Sequence, residues 1–379
     1  MTDVLIIGDT ERMADLRHEV PIQITDPFVY AEVNGRRAIA IFNFEIDRIR
    51  DAGVQAEFRP MEHYKPEEVA RETSDAYTFR NELHLRAVRD LGLTRAVVPR
   101  CFPVGIADHL RANGIELEVD QRFFDDRRRV KNAQELAGIR RAQRAAEAGM
   151  ATARELLQRA VARNGGYVVD GDELTCELLK QHVDRAFAAH GCTADEFIVS
   201  HGAQTAVGHD MGHGPIQADD VVMLDLFPRD RESACFADMT RTFVVGSVPD
   251  ELREYHGRCK EALELCVEHI RPGLDGKELH RMVSDFFAGH GYPTQLTKPE
   301  GSVLQDGFYH ATGHGVGLAV HEQPGIGRVG EPFVAGDVLA IEPGLYRNGV
   351  GGVRLEDLVL VTQDGCEVLT EFPYELDVR

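Results

Sequence analysis

Four carboxylates lie within apolar, strand-like segments in the second half of the chain. The segments and their acidic residues are 221–227 with Asp225, 237–245 with Asp238, 338–346 with Glu342 and 352–361 with Glu356. An ionised carboxylate in such surroundings costs free energy unless it is paired or coordinates a metal ion. The pattern therefore predicts a metal site that is built on β-strands.

The acidic segments also form a faint internal repeat. Asp220 precedes Asp225 by five residues, just as Asp337 precedes Glu342, and an apolar run lies between them in both cases. The two units are offset by 117 to 118 residues. A duplicated strand pair would bring one carboxylate from each strand to a shared centre. A coincidental likeness of two strand pairs is the alternative.

Composition limits the kind of protein and its partners. A length of 379 residues is enough for two domains, and 43% hydrophobic with 28% charged residues is typical of a soluble globular protein. The formal net charge of −21 argues against nucleic acid as a partner, because phosphate binding needs a basic surface. We therefore expect a soluble protein that does not bind nucleic acid.

Features of the sequence also predict the cellular compartment. The first apolar stretch, Val4 to Ile7, is short and has no basic leader, so we expect no secretory signal. No run approaches the roughly 20 apolar residues of a membrane helix. The seven cysteines are scattered and form no CxxC pair, which favours a reduced, cytoplasmic protein.

The order of predicted elements divides the chain into a smaller α/β domain, residues 1–128, and an α+β domain, residues 129–379. Strand-like runs in the first domain are Val4–Ile7, Ala38–Phe42 and Ala96–Val98. The predicted helices are Asp75–Leu91, a long helix capped by Asn132 with Glu135 completing a capping box, Glu173–Ala189, Asp250–His269 and Asp275–His290. We expect the chemistry in the second domain.

A loop rich in glycine and histidine lies between the acidic units. It carries His310, His314 and His321, and His209 lies in a second loop of small residues. A phosphate-binding loop is disfavoured, because the GxGxxG order is absent and no lysine follows for a Walker-type loop. Carboxylates with one or two histidines suit hard or borderline cations, and two divalent ions would neutralise four carboxylates. Such a pair can share a bridging hydroxide that attacks a carbonyl group.

The motifs around these residues resemble those of the methionine aminopeptidase-like metallopeptidases of family M24. The motifs are DMTRTF around Asp238, HATGHGVGLAVHE from His310 to Glu322, IEPGLY around Glu342 and GVRLED around Glu356. The resemblance covers the chain from about residue 130 to its end and implies a C-terminal pita-bread catalytic domain. The separate N-terminal domain is similar to that of the creatinase/prolidase branch, which implies an Xaa-Pro aminopeptidase or Xaa-Pro dipeptidase.

The resemblance also implies a role for each site residue. Asp238 and Glu356 would bridge two metal ions, with Asp225 on one ion, His314 on the other, and Glu342 as a ligand that shuttles a proton. His209 and His321 match catalytic, substrate-contacting histidines. His310 matches a histidine of the pocket wall, and Arg354 an arginine that binds substrate. Manganese is the first candidate for the metal, with cobalt, zinc or iron as alternatives.

One departure from the family pattern affects the expected substrate. Asp225 and Asp238 are 13 residues apart, where family members usually have 11, so the turn between them is longer and the pocket rim could differ. We expect proline-containing peptides or dipeptides as substrates and a homodimer. Two alternatives stay open: a metal enzyme of the same scaffold that acts on a small non-peptide substrate, and a peptidase-like binding protein without catalysis.

Overall fold

A computed structural model describes residues 2–379. The chain forms two compact units, Met1–Arg128 and Arg129–Arg379. Each unit has its own apolar clusters of buried side chains. Within the described residues, no helix is both long enough and apolar enough to cross a membrane.

The first unit is a six-stranded sheet with helices. Its strand order is β4-β3-β2-β1-β5-β6, with antiparallel β1–β2 and β2–β3 pairs and parallel outer pairs. Its elements are β1 Val4–Gly8, α1 Ala14–Glu19, β2 Phe28–Val33, β3 Arg36–Ile41, α2 Asn43–Asp51, β4 Glu57–Pro60, a 3-10 helix Met61–Tyr64, α3 Pro66–Glu72, α4 Ala76–Asp90, β5 Arg95–Val98, α5 Val104–Ala112, β6 Glu116–Val119 and α6 Gln121–Arg129. The three predicted strands and the predicted helix of this unit are present as β1, β3, β5 and α4. In β1, alternate side chains lie in two different apolar clusters, as expected for a strand that is buried on both faces.

The second unit contains two helix pairs and several small sheets. Its first elements are α7 Ala133–Arg159, β7 Val161–Arg163, β8 Gly166–Val169, β9 Asp172–Glu173, α8 Cys176–Ala189, β10 Cys192–Thr193, β11 Ile198–His201, a 3-10 helix Gly202–Ala206, β12 Val221–Leu226, β13 Arg229–Asp230 and β14 Met239–Val244. The remaining elements are α9 Asp250–His269, α10 Gly276–Gly289, β15 Gly313–Gly315, β16 Glu322–Ile326, β17 Val338–Ile341, β18 Gly344–Arg347, β19 Gly351–Arg354, β20 Asp357–Val361 and β21 Cys366–Val368.

The helix ends follow capping chemistry. Asn132 accepts hydrogen bonds from the backbone of Gln134 and Glu135, and the Glu135 side chain completes the predicted capping box. Helices α9 and α10 also match their predicted ranges closely. The predicted start of α8 at Glu173 was wrong: Glu173 belongs to β9, and the helix begins after Thr175, whose side chain accepts the N–H of Leu178.

The two acidic units have the same local topology. Strands β11, β12 and β14 form one antiparallel sheet in that order, and β15, β17 and β20 are neighbours in the same order in another. Each acidic unit begins with a turn that is closed by an aspartate side chain. Asp220 accepts a hydrogen bond from the N–H of Gln217, and Asp337 accepts one from the N–H of Val334, in both cases three positions earlier. The sequence repeat therefore corresponds to a structural repeat.

Alternation along the strands places the carboxylates on one face. In β12, Val222, Leu224 and Leu226 belong to the core that includes α7 and α8, so Asp225 points to the opposite face. In β17, Leu339 and Ile341 belong to the core that includes α9 and α10, and Glu342 follows on the other face. Each helix pair thus packs against one face of an acidic unit, and the opposite face carries the acidic residue together with buried apolar residues such as Val221 and Ala340.

The second acidic hairpin differs from the predicted continuous strands. Its first strand is interrupted at Glu342 and Pro343, and its second at Leu355 and Glu356. Proline lacks the backbone N–H that would continue the ladder at position 343. The pairs Ile341 with Asp357 and Gly344 with Arg354 nevertheless keep one register across the interruption. Glu342 and Glu356 therefore lie opposite each other between the two paired segments.

Candidate active site

The four carboxylates of the two acidic units line one cavity of about 380 Å³. Eight of the nine predicted site residues border it, together with apolar side chains that include Ile198, Phe227 and Val320. The eight are His209, Asp225, Asp238, His314, His321, Glu342, Arg354 and Glu356. His310 borders a neighbouring cavity instead. The structure thus brings together residues that are up to 147 positions apart in the sequence.

Three of the predicted ligands form a compact cluster. Asp238, His314 and Glu356 each offer one ligand atom, and these atoms lie within 4.8 Å of one another. His314 Nε2 is 3.7 Å from Asp238 Oδ2 and 3.9 Å from Glu342 Oε1. Distances of this size leave room between the groups for a cation that draws them together.

The electrostatics of the carboxylates also fit a cation. Burial, followed by the charges of neighbouring carboxylates, raises the pKa of Asp238 and of Glu356 well above the usual range. Burial raises the pKa of Glu342 to about 7. Within residues 2–379, the buried Asp238 Oδ1 has no hydrogen-bond partner. A divalent ion would supply the missing partner and the missing positive charge.

The His314 ring is neutral and is oriented for metal binding. Burial lowers its pKa to about 4, with a further contribution from His321. Its Nδ1 lies 3.1 Å from the carbonyl oxygen of Gly315, so the proton belongs on Nδ1 and the lone pair on Nε2 faces the carboxylates. A backbone acceptor on the second ring nitrogen is the usual way in which a protein orients a metal-binding histidine.

Arg354 connects the carboxylates of the two acidic units. Its Nη2 donates to Asp225 Oδ2 at 2.6 Å, and its Nε donates to Thr240 Oγ1 at 3.2 Å. The Thr240 hydroxyl in turn donates to Glu356 Oε2 at 2.7 Å. Thr240 was missed from the sequence, although it lies in β14 two residues after Asp238, which directly precedes that strand, so both side chains are on the same face. It fixes the orientation of the Glu356 carboxylate.

His310 belongs to a hydrogen-bond chain beside the carboxylates. Its Nδ1 is 2.7 Å from the carbonyl oxygen of Ala311, which leaves Nε2 to accept the hydroxyl of Tyr346 at 2.8 Å. Arg354 Nη1 donates to the same hydroxyl oxygen at 3.1 Å. Burial lowers the pKa of His310 to about 3, so the ring is neutral at neutral pH. Tyr346 is the second residue that was missed from the sequence, because its role depends on its hydrogen bonds to His310 and Arg354 in the folded protein.

His209 and His321 lie at the exposed side of the cavity. The His321 ring packs edge-on against His314, with ring centroids 4.2 Å apart, and burial lowers the pKa of His321. The loop of His209 is held at its two ends, because Tyr309 donates to the carbonyl of Ala206 at 2.7 Å and the N–H of Gly214 donates to Glu177 at 3.0 Å. Both imidazoles can therefore meet a ligand that enters from solvent.

A buried ion pair lies beneath the histidine loop. The side chains of Lys131 and Glu322 are each only 2% exposed, and Lys131 Nζ donates to Glu322 Oε1. Glu322 directly follows His321 and pairs with Gly315 across the strands. Gly317 permits this packing, since a Cβ there would lie 2.4 Å from Glu322 Oε1. The pair fixes the base of the segment that carries His321.

The lengthened turn between Asp225 and Asp238 folds away from the cavity. Asp230 accepts two hydrogen bonds from Arg141 of α7, at 3.0 and 2.8 Å, and one from the Ser233 hydroxyl at 2.6 Å. Gly138 of α7 leaves space for Ser233, because a Cβ at position 138 would lie 1.9 Å from Ser233 Oγ. Of the described residues in this turn, Phe227 lines the cavity and 230–235 do not.

Comparison with solved structures identifies the fold. The chain is similar to the prolidase of Pyrococcus horikoshii OT3, with a TM-score of 0.77, 23% identity and 99% and 95% of the two chains covered. It is also similar to the X-Pro aminopeptidase of Thermotoga maritima MSB8, with a TM-score of 0.78, 20% identity and 99% and 97% coverage. The predicted α+β class with a C-terminal pita-bread domain is confirmed.

The sequence comparisons identify the family. Residues 137–363, more than half of the chain, match metallopeptidase family M24. The chain belongs to this family. It is 35% identical over 189 residues to the Xaa-Pro dipeptidase of Pyrococcus furiosus, and the match covers 48% of this chain and 49% of that protein. The chain thus spans about half the length of the curated relatives that it matches.

Proposed function

We propose that the protein is a metal-dependent peptidase that cleaves the bond before proline in Xaa-Pro peptides. The observation that carries the proposal is the cluster of four carboxylates and His314 in one cavity, with buried carboxyl groups whose pKa values are raised. Membership of family M24 supports metallopeptidase activity. The Xaa-Pro specificity rests on the names of the relatives and on the motifs.

The five predicted ligands would hold two divalent ions. Asp238 of the first acidic unit and Glu356 of the second would be ligands common to both ions, Asp225 would serve one ion and His314 the other, and Glu342 would be the remaining ligand. When bound, the ions would supply Lewis acidity toward a carbonyl oxygen and a hydroxide nucleophile at neutral pH. Manganese is the proposed metal, because carboxylate-rich sites suit it.

The other side chains would orient the peptide and move protons. Glu342 would take up a proton and return it to the leaving amine, in addition to being a metal ligand. His209 and His321 line the cavity and can hydrogen-bond the peptide and the oxygen that develops negative charge. Arg354 fixes the position of Asp225 by a hydrogen bond. It also donates to the Tyr346 hydroxyl, which in turn fixes the His310 ring at the pocket wall.

The test is hydrolysis of the dipeptide Ala-Pro and of longer Ala-Pro peptides by the full chain loaded with Mn²⁺. We expect release of alanine, followed by amino-acid analysis, and loss of activity on chelation. The peptide Ala-Ala-Gly is the matched substrate without proline. Bound metal with no cleavage of any proline peptide would contradict the proposed function.

The Thr240 hydroxyl is expected to contribute to metal binding without being a ligand. Replacing Thr240 with Val keeps the side-chain shape but removes the hydrogen bonds to Glu356 and Arg354. Loss of such a supporting partner typically weakens metal affinity or activity by about 10- to 100-fold. Calorimetric titration of the chelated protein with Mn²⁺ measures the change. An unchanged affinity would show that Thr240 does not orient Glu356.

The buried carboxyl groups predict how the stability of the metal-free protein depends on pH. Their pKa values are raised in the fold, so the folded state binds more protons than the unfolded state, and stability falls as pH rises. The contribution of these carboxyl groups to stability is complete below about pH 4, which is the pKa of a carboxyl group in the unfolded chain. The stabilising contribution of Glu342 is lost as the pH rises through about 7, the pKa of this carboxyl in the folded protein.

Thermal unfolding of the chelated protein between pH 6.5 and 8 tests this dependence. We expect the Tm to fall across the range, and the Tm gain on adding Mn²⁺ to grow, because binding requires deprotonated ligands. The variant Glu356→Gln is the control and should show a smaller slope. Equal slopes for the two proteins would contradict the assignment of the pH dependence to these carboxyls.

Further expectations stay proposals. The likeness to the solved prolidase covers 99% of the chain, which supports residues 1–128 as an N-terminal domain of the creatinase/prolidase type. A homodimer and a cytoplasmic location stay predictions from the sequence. The small non-peptide substrate was favoured only by the long turn after Asp225, and the tip of that turn does not border the cavity.

A further inference from the structure

A histidine outside the cavity lining links the loop of His209 to the first acidic unit. His201 is the last residue of β11, and its side chain is 12% exposed. Its Nδ1 lies 2.6 Å from Asp220 Oδ2, and its Nε2 lies 3.2 Å from the carbonyl oxygen of His213. A carboxylate and a carbonyl oxygen accept hydrogen bonds, so both ring nitrogens must donate. Only the imidazolium form has a proton on each nitrogen, so these contacts require a positively charged His201 ring.

The groups around the ring favour this protonated form. The charged and titratable residues that face His201 are Asp220 at the start of β12, Glu177 of α8 and the loop residue His213. The hydrogen bond with Asp220 raises the pKa of His201 above its ordinary value, against the opposing effect of burial. The His213 carbonyl and the charge of Glu177 act in the same direction as Asp220.

The second acidic unit contains the same arrangement with a permanent cation. Arg129 donates to Asp337 Oδ2 at 2.7 Å and to the carbonyl oxygen of Pro332 at 2.8 Å. Asp337 closes the turn of that unit, as Asp220 closes the turn of the first. In each unit, one cation thus joins the turn aspartate to a backbone carbonyl that precedes the turn. Arginine keeps its charge in proteins, whereas histidine can lose it near neutral pH.

The His213 carbonyl is the point at which the loop of His209 meets this ion pair. Gly212, the preceding residue, has a φ of +77°, and a Cβ there would lie 1.7 Å from the carbonyl oxygen of Val199. The N–H of Val199 donates to the carbonyl of Met211 at 3.2 Å, so this end of the loop lies directly against β11. His209 and Met211 line the carboxylate cavity. Their positions therefore depend on how firmly the loop is held at His213.

We propose that His201, as an imidazolium, is a positioning residue that holds the loop of His209 in place for the substrate. This inference rests on the proposed function, in which His209 hydrogen-bonds the peptide. Loss of the proton would leave one ring nitrogen with a lone pair facing an oxygen, so either the Asp220 contact or the His213 contact is lost. Gln204 Nε2 also donates to the His213 carbonyl, at 3.0 Å, so one anchor remains and the expected effect is moderate.

The first experiment measures kcat/KM for Ala-Pro with the Mn²⁺-loaded full chain from about pH 6.5 upward. We expect the value for His201→Gln to lie about tenfold below that of the parent at the lower end of this range, as for one lost charge-assisted hydrogen bond. The difference should shrink as the pH rises, because the parent then loses the proton that the variant never carries.

Two further variants serve as rescue and control. His201→Arg restores a permanent cation, as Arg129 provides in the second unit, and should recover part of the loss. Its advantage over His201→Gln should be the same at every pH, because neither side chain titrates in this range. His190→Gln is the matched control, an exposed histidine at the end of α8 outside the cavity lining, and should follow the parent at every pH.

A double-mutant cycle tests whether His201 acts through His209. In the His209→Ala background, His201→Gln should add little further loss of kcat/KM, because the group that His201 positions is already absent. Hydrogen exchange of residues 207–213 follows the loop without any substrate. We expect exchange to be faster in His201→Gln than in the parent at about pH 6.5, since local opening becomes easier when an anchor is lost.

Failure of the inference and failure of the proposed function give different results. If the parent cleaves Ala-Pro, the inference is overturned by a loss for His201→Gln that is constant with pH, by additive losses in the cycle, or by unchanged exchange of the loop, and the proposed function stands. If the metal-loaded parent cleaves no proline peptide, the proposed function fails, and the role of His201 toward a substrate fails with it. Hydrogen exchange then decides whether His201 anchors the loop at all.

Discussion

Replacing Asp238 with Asn is expected to abolish metal binding and activity together while the fold is retained. Asp238 belongs to the ligand cluster with His314 and Glu356, and its Oδ1 has no hydrogen-bond partner among the described residues. Loss of the metal removes several kcal/mol of transition-state stabilisation. Since about 1.4 kcal/mol corresponds to tenfold in rate, kcat/KM should fall by about a thousandfold or more. Metal analysis and Ala-Pro-Gly hydrolysis measure the two effects.

The same substitution should not destabilise the metal-free protein. Burial and then the neighbouring carboxylates raise the pKa of Asp238, so ionisation of this carboxyl is unfavourable in the metal-free fold, and a neutral amide of the same shape avoids that cost. Asp230→Asn is the matched control in the same hairpin: it weakens the bonds to Arg141 and Ser233 and should lower the Tm while metal is retained. Retention of two metal ions per chain by the Asp238 variant would exclude Asp238 as a bridging ligand.

Replacing Arg241 with Met is expected to produce the largest loss of stability. Arg241 is 1% exposed and pairs with Asp357, which is also 1% exposed. Its guanidinium also donates to the carbonyl oxygens of Thr240, Glu356 and Phe372. Removing one member of a buried pair leaves an uncompensated charge, and the free energy of unfolding should fall by about 3–5 kcal/mol. Urea unfolding followed by circular dichroism measures it.

A surface ion pair provides the control for Arg241. Arg253 pairs with Asp377, and these side chains are 39% and 49% exposed. Arg253→Met should cost less than about 1 kcal/mol, because exposed pairs are screened by water. The double variant Arg241→Met with Asp357→Leu should recover part of the loss, since both charges are then absent. A cost for Arg241→Met equal to that of Arg253→Met would contradict the importance of the buried pair.

Much of the secondary structure was predictable because its causes are local. The capping box of Asn132 and Glu135 and the N-cap Asp275 are encoded within a few residues, so α7 and α10 begin where predicted. The start of α8 was misplaced, since Glu173 pairs with Val168 in a hairpin that short-range patterns do not reveal. The break at Glu342 and Pro343 was also missed, because the apolar run alone resembles one long strand.

The sequence alone identified the four carboxylates and three of the four histidines, since eight of the nine predicted residues border the cavity. Asp225, Asp238, Glu342 and Glu356 could be recognised because charged residues in apolar strands conflict with burial, a cost that is visible in the sequence. The repeat at an offset of 117 residues also predicted that the two strand pairs would be equivalent. A strand pattern specifies which residues share a face of the sheet. This information was enough to predict that the carboxylates lie close together.

The way in which those side chains are held depends on contacts that form only in the folded chain. The bonds from Arg354 to Asp225 and from Thr240 to Glu356 join residues more than 100 positions apart, and their geometry depends on strand register. The turn after Asp225 folds onto α7 because Gly138 leaves room for Ser233, a fit between side chains from distant segments. Packing and hydrogen-bond geometry arise from contacts across the chain, and a linear pattern does not encode them.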